Sequence, residues 1–119
     1  MKTACKVQCP QCPFRPKSLK GWLGSYTPEQ IAYQAWRSIT FFCHTKINYE
    51  NNDWLKKANE NGKICLGSLA FANKMMAPLR KNAYPETDPV VIQLREEIKD
   101  RKDIECMGVK EFIEHHKVL

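Results

Sequence analysis

The stretch Cys65-Leu66-Gly67-Ser68-Leu69-Ala70-Phe71-Ala72-Asn73-Lys74-Met75-Met76 carries both halves of the fold, a helix and a cysteine at its start. Leu66, Leu69, Ala70, Asn73 and Met76 recur at helical spacing, and Pro78 stops the run. Gly67 weakens the helix by its backbone freedom. Gly62 precedes the segment, so Cys65 falls at or near a helix N-terminus. There, unpaired N–H groups and the helix dipole favour a thiolate.

Upstream, Met1 to Tyr26 holds Pro10, Pro13, Pro16, Gly21 and Gly24 and reads as irregular. A helix is expected from Thr27, which can cap it with Pro28 at the first position and Gln30 closing a capping box. Ile31, Ala35, Trp36 and Ile39 mark its buried face. Ile39 to Phe42 is β-branched and aromatic, so the chain is expected to extend there and deliver Cys43. Asn48 to Asn52 reads as a polar loop. A short helix over Asp53 to Asn61 would face Trp54, Leu55 and Ala58 inward and end at Gly62.

Downstream, Ala83 to Pro89 reads as a turn-rich connector. Asp88 can cap a further helix with Pro89 at its first position. Val91, Leu94 and Ile98 would line its apolar face, while Arg95, Glu96, Glu97 and Lys99 would face water. A last helix is expected over Val109 to Val118, with Val109, Phe112, Ile113 and His116 on one side. His115 and His116 read as a solvated last turn that favours the helix dipole. The predicted fold is mainly α with little strand, a small α+β arrangement being the variant. An irregular cysteine-rich N-terminal lobe would pack on the helices through a metal site.

With 119 residues the chain fits one domain over 1–119. Its 43% hydrophobic and 27% charged residues are ordinary for a soluble globular protein. No apolar run approaches the roughly 20 residues of a membrane helix. The first sixteen residues carry no apolar stretch ahead of their cysteines, so no secretory signal is expected. A reducing, cytoplasmic compartment is the expectation. The net charge of +6 is uneven. A basic body over 1–82 carries +9, and an acidic helical segment over 83–119 carries −3. That asymmetry suits an acidic partner for the body, or simply a soluble basic surface.

Six cysteines in such a chain point to metal or redox chemistry rather than structural disulfides. Cys9-Pro10-Gln11-Cys12 is the sharpest signal, because two cysteines three apart can put both thiolates on one ion. Pro10 and Pro13 restrict the intervening backbone. A redox dithiol would follow a strand and open a helix, whereas prolines follow here. Cys43 and Cys65 complete a four-thiolate set, although either can instead be a buried small hydrophobe. His44 is a substitute ligand if Cys43 points away, or a hydrogen-bond donor to a ligand sulfur. Cys5 is a spare or substitute ligand, and Cys106 is expected to pack in a core or sit unused.

The blocks Cys9-Pro10-Gln11-Cys12-Pro13-Phe14-Arg15, Phe42-Cys43-His44-Thr45 and Cys65-Leu66-Gly67, in that order, resemble an uncharacterised family of small bacterial and phage proteins. Its members read C-x-x-C-P-[WF]-R, then F-x-C-H, then C-x-G. The resemblance covers about residues 9 to 72, and Phe112 to His116 extend it. Leu66 departs from the alanine more usual before the glycine. The family carries a domain-of-unknown-function label. The resemblance therefore implies one unit of Cys9, Cys12, Cys43, His44 and Cys65 and supplies no reaction. A phage-encoded member would work in the host cytoplasm.

Four thiolates suit zinc or an iron–sulfur cluster. The knuckle favours zinc. The singleton cysteines and the Cys12-Pro13 step favour [4Fe-4S], which Phe14, Trp22, Phe42 and Phe71 would shield. The expected function is a non-catalytic interaction module that binds a protein or nucleic acid, the alternative a cluster-bearing redox or sensor protein. Arg15, Lys17, Lys20, Lys46, Lys56 and Lys57 are candidates for partner contact, and Trp22, Tyr26, Tyr33 and Tyr49 for base stacking. No Gly-rich phosphate loop, nucleophile elbow or H-E-x-x-H helix occurs, so no enzyme is expected.

Overall fold

Pro28 has no N–H to lose at a first helical position, and Thr27 accepts from Gln30 N–H while Gln30 reaches back to the Thr27 N–H. This capping box starts α1, Pro28–Trp36. The structure, a computed structural model, describes residues 2–21, 23, 26–37, 41–43, 50, 52–80 and 87–117. Within them the order is β1 (Thr3–Ala4), α1, α2 (Trp54–Asn61), β2 (Lys63–Ile64), α3 (Leu66–Lys74), α4 (Pro89–Glu97) and α5 (Val109–His115). The Cα radius of gyration, 13.7 Å, matches the about 13.5 Å of a folded domain this long. The expectation of a mainly helical chain with little strand holds.

The strand content has one job. β1 and β2 pair in parallel, Thr3 with Lys63 and Ala4 with Ile64, inside the segment expected to be irregular throughout. On the other edge of β2, Phe42 bridges Ile64 antiparallel. Cys43 N–H donates to Lys63 C=O at 2.7 Å and Cys65 N–H to Phe41 C=O at 2.9 Å. Cys43 therefore arrives in extended backbone, as its β-branched and aromatic approach implied; Ile39 itself lies outside the described residues.

Two cores flank α3. Phe71 packs with Cys12, Phe14, Ile31, Ala35, Met107 and Phe112. Leu66 and Leu69 pack with Ile64, Val91 and Ile98. Leu66 through Leu69 are all buried, so α3 has no polar face in its first turn. α1 and α5 cover one side of this helix system and α4 the other. Phe14, Phe71 and Phe112 form a three-ring cluster with centroids 4.9–5.1 Å apart. The acidic C-terminal segment is thus part of the core.

Several faces differ from expectation. Trp36 is 47% exposed and Leu55 54%, because α1 and α2 each bury a narrower stripe than their sequences allow. Ile31, Ala35 and Ala58 are buried as expected. α3 ends at Lys74, not Met76. Met76 takes a left-handed φ of 58° and is 82% exposed. Arg95 is buried instead of solvated. Its Nε donates to Asn73 Oδ1 and its Nη2 to the Ala72 and Ala77 carbonyls, which ties α4 to the end of α3. Asp88 does cap α4 by accepting from Val90 N–H, and it pairs with Lys2. α5 runs from Val109 to His115, and the rest of the expected span to Val118 is not helical in the described residues.

Candidate metal centre

The knuckle forms locally. Cys12 N–H donates to Cys9 C=O at 3.1 Å, closing a tight turn, and Gln11 N–H points at the Cys9 sulfur at 3.4 Å. Arg15 then folds back over the turn. Its Nε donates to Cys9 C=O, its Nη2 to Gln8 C=O and its Nη1 to the Glu105 carboxylate, at 2.9, 3.1 and 2.9 Å. A planar fork serves three acceptors at once, which a lysine cannot do. Arg15 was expected to face a partner; it braces the knuckle instead.

The segment 105–107 lies alongside the knuckle. Gln8 exchanges two bonds with the Glu105 backbone, at 2.6 and 2.7 Å, and Met107 N–H donates to Phe14 C=O at 2.9 Å. α5 closes the other flank. Gly21 N–H donates to His116 Nδ1 at 3.0 Å, so the ring carries its proton on Nε2 and donates it to Pro13 C=O at 2.8 Å. His115 Nε2 meets Ser18 C=O at 2.7 Å. The expectation of a solvated histidine pair is corrected. His116 is 1% exposed, and both rings hold the loop that follows Cys12.

Onto this frame β2 brings Cys65 as the N-cap of α3. The Cys12 and Cys65 sulfurs stand 4.0 Å apart. Cys43 shares their neighbourhood. The Phe42–Ile64 bridge and strand alternation put Cys43 and Cys65 on one face as diagonal neighbours. Cys9 packs against the core that holds Cys12 and Cys65. Gly67 makes the close approach possible. A Cβ there would lie 2.3 Å from the Cys12 sulfur and 3.0 Å from the Phe14 ring. The glycine that weakens the helix on sequence grounds is the seat of a cysteine.

The Cys12 and Cys65 thiols are hydrogen-bonding partners, and either sulfur can be the donor. The Cys65 hydrogen bond pulls the Cys12 thiol below the ordinary range, against burial and with help from Gln8, Phe14 N–H and the Arg15 charge. The same bond, then burial and the Cys12 charge, push Cys65 well above that range. Among the described residues no three His, Cys, Asp or Glu side chains converge tightly enough to hold an ion as they stand.

Cys5 packs against the second core, and its N–H donates to Ile64 C=O at 3.2 Å. His44 and Lys46 lie outside the described residues, as do Trp22 and Tyr49. Lys17, Lys20, Lys56 and Lys57 are exposed, Lys57 at 3.8 Å from Asp53. Cys106 packs in the first core beside Cys12, Cys9 and Cys65, and burial pushes its thiol up to about 12. Cys106 packs in a core as expected, and His116 is buried with Phe112 on the side of the last helix where its spacing put it. The sequence offered no signal for the Gln8 brace or for the acceptors that Arg15 and His116 find. Compared with known proteins, the chain matches no family model, no curated protein and no solved structure.

Proposed function

We propose that this chain is a small zinc-binding protein in which Cys9, Cys12, Cys43 and Cys65 hold one structural ion, and that the stapled domain serves as an interaction module. The 4.0 Å between the Cys12 and Cys65 sulfurs carries this reading. Two thiolates on a tetrahedral zinc, each about 2.3 Å from the metal, stand about 3.8 Å apart. In a [4Fe-4S] cluster each cysteine takes a different iron, so its sulfurs stand further apart. The cradle at Gly67 and the braces from Arg15, Gln8 and His116 support a fixed position for Cys12, on which the other thiolates would close as the ion binds. Cys9 and Cys43 supply the remaining thiolates. A site closed by four thiolates leaves no position for substrate, so the ion stabilises the fold and binding is coupled to folding.

The partner on this reading is an acidic protein surface or nucleic acid, met by exposed Lys17, Lys20, Lys56 and Lys57. Arg15 is committed to the knuckle and leaves that surface.

Anaerobic purification with visible absorption and zinc and iron analysis tests the centre. About one zinc per chain and no colour is expected. A brown protein with iron and sulfide would replace it with the redox or sensor reading. Neither metal, with Cys9 and Cys12 open to alkylation, overturns the centre altogether. For the partner, affinity for nucleic acid that falls steeply with salt supports that form. A flat response leaves an acidic protein.

A further inference from the structure

A cleft of about 490 Å³ opens between α3, α4 and the segment 98–104. Its volume falls in the range of small-molecule sites. Lys74, Arg95, Lys99 and Arg101 line it against a single lining carboxylate, Glu96. The lining stays basic even with Asp103, which pairs with Arg101, counted in. Its remaining walls are largely aliphatic, with Leu79, Ile92 and Ile104 among them.

Arg95 is the unusual member. It is 6% exposed, and every partner it has is a neutral oxygen, from Asn73, Ala72 and Ala77. Its Nη1 has no hydrogen-bond partner. A guanidinium taken out of water without an opposite charge bears a desolvation cost that carbonyl dipoles offset only in part. Bonding the Ala72 carbonyl in the last turn of α3 accounts for one side of the fork. It does not account for the unfilled Nη1. Of the other cations, Lys74 donates to Cys106 C=O at 2.8 Å, Lys99 lies 4.0 Å from the Glu96 carboxylate and Arg101 pairs with Asp103.

We propose that this cleft binds a small amphipathic anion, with a phosphate or carboxylate head toward Arg95 and Lys99 and an alkyl or ring body on the aliphatic walls. Acidic headgroups of lipids and free phosphate esters share this chemistry. The proposal stands on α3 and α4 and does not depend on which ion the thiols take.

The test is an amide NMR titration of the full chain with octyl phosphate, octyl glucoside and inorganic phosphate, all below micelle formation. Octyl phosphate should shift Ala70, Ile92, Arg95 and Lys99 in a saturable way. Inorganic phosphate should shift the same amides at least ten-fold more weakly, and octyl glucoside hardly at all. Equal binding of the glucoside, no shift in the cleft, or shifts scattered over Lys17, Lys20 and Lys56 would overturn the proposal. Arg95→Gln also removes bonds that hold α3, so Lys99→Glu is the variant of choice, its side chain being 65% exposed. It should weaken octyl phosphate at least ten-fold with the melt unchanged; unchanged affinity also overturns the site. Lys99-dependent sedimentation with phosphatidylglycerol vesicles assigns the head to a lipid, and its absence alongside octyl phosphate binding assigns it to a free ester.

Discussion

The sulfurs of Cys12 and Cys65 lie 4.0 Å apart although 53 positions separate them in the chain. One comes from a turn braced by Arg15 and the other from the cap of α3. Two outcomes follow for the metal-free protein. Diamide should take two electrons and two protons from the thiols and join Cys12 to Cys65, as peptide mass mapping would show. Prior addition of zinc should block the reaction. A disulfide elsewhere, or equal oxidation with zinc present, contradicts the proposed centre.

Gly67→Ala separates helix propensity from packing. In an exposed helix interior this change stabilises by about 1 kcal/mol. Here the new methyl would meet the Cys12 sulfur at 2.3 Å and Phe14 at 3.0 Å, both buried. Overpacking of that kind costs about 1–3 kcal/mol. Urea unfolding should show net destabilisation, and zinc affinity should drop with it. A more stable variant would show that the cradle is not tight.

His116 makes stability depend on pH. Burial lowers its pKa below the ordinary 6.5, so the unfolded chain takes up the proton first. Its contribution is fully present above about 6.5 and is lost as pH falls through that value toward the folded one. Urea midpoints should decline between pH 7 and pH 5.5. In His116→Gln that decline should shrink, while stability at pH 7.5 falls by roughly 1–3 kcal/mol for the buried group left unpaired. An identical pH profile in wild type and variant would remove His116 as the cause.

Thr27→Ala removes the side-chain half of the α1 cap, the 3.1 Å bond from Gln30 N–H to Thr27 Oγ1, and keeps the 2.8 Å bond from the residue 27 N–H to Gln30 Oε1. The expected loss is about 0.5–2 kcal/mol, read from chemical denaturation. Because α1 seats Ile31 and Ala35 beside Phe71 and Phe112, the loss should appear in the global transition. Local fraying without a shift in the midpoint would mean that α1 is not part of the cooperative unit.

What the sequence determined by itself acts within one turn of chain. Thr27-Pro28-Glu29-Gln30 and Asp88-Pro89 start helices because a side-chain cap and a fixed proline φ need no distant partner. Cys9 to Cys12 closes a knuckle for the same reason, and Gly62 places Cys65 at the head of α3. Tertiary structure decided which face of each helix is covered, since burial depends on a neighbour that spacing does not name. Arg95 and His116 are buried because α3 and the Pro13–Gly21 loop offer them carbonyl and amide partners. Trp36, Leu55 and Met76 stay exposed because no described element packs over them. The approach of Cys12 to Cys65 required a missing side chain at Gly67, a vacancy that only the packed chain reveals.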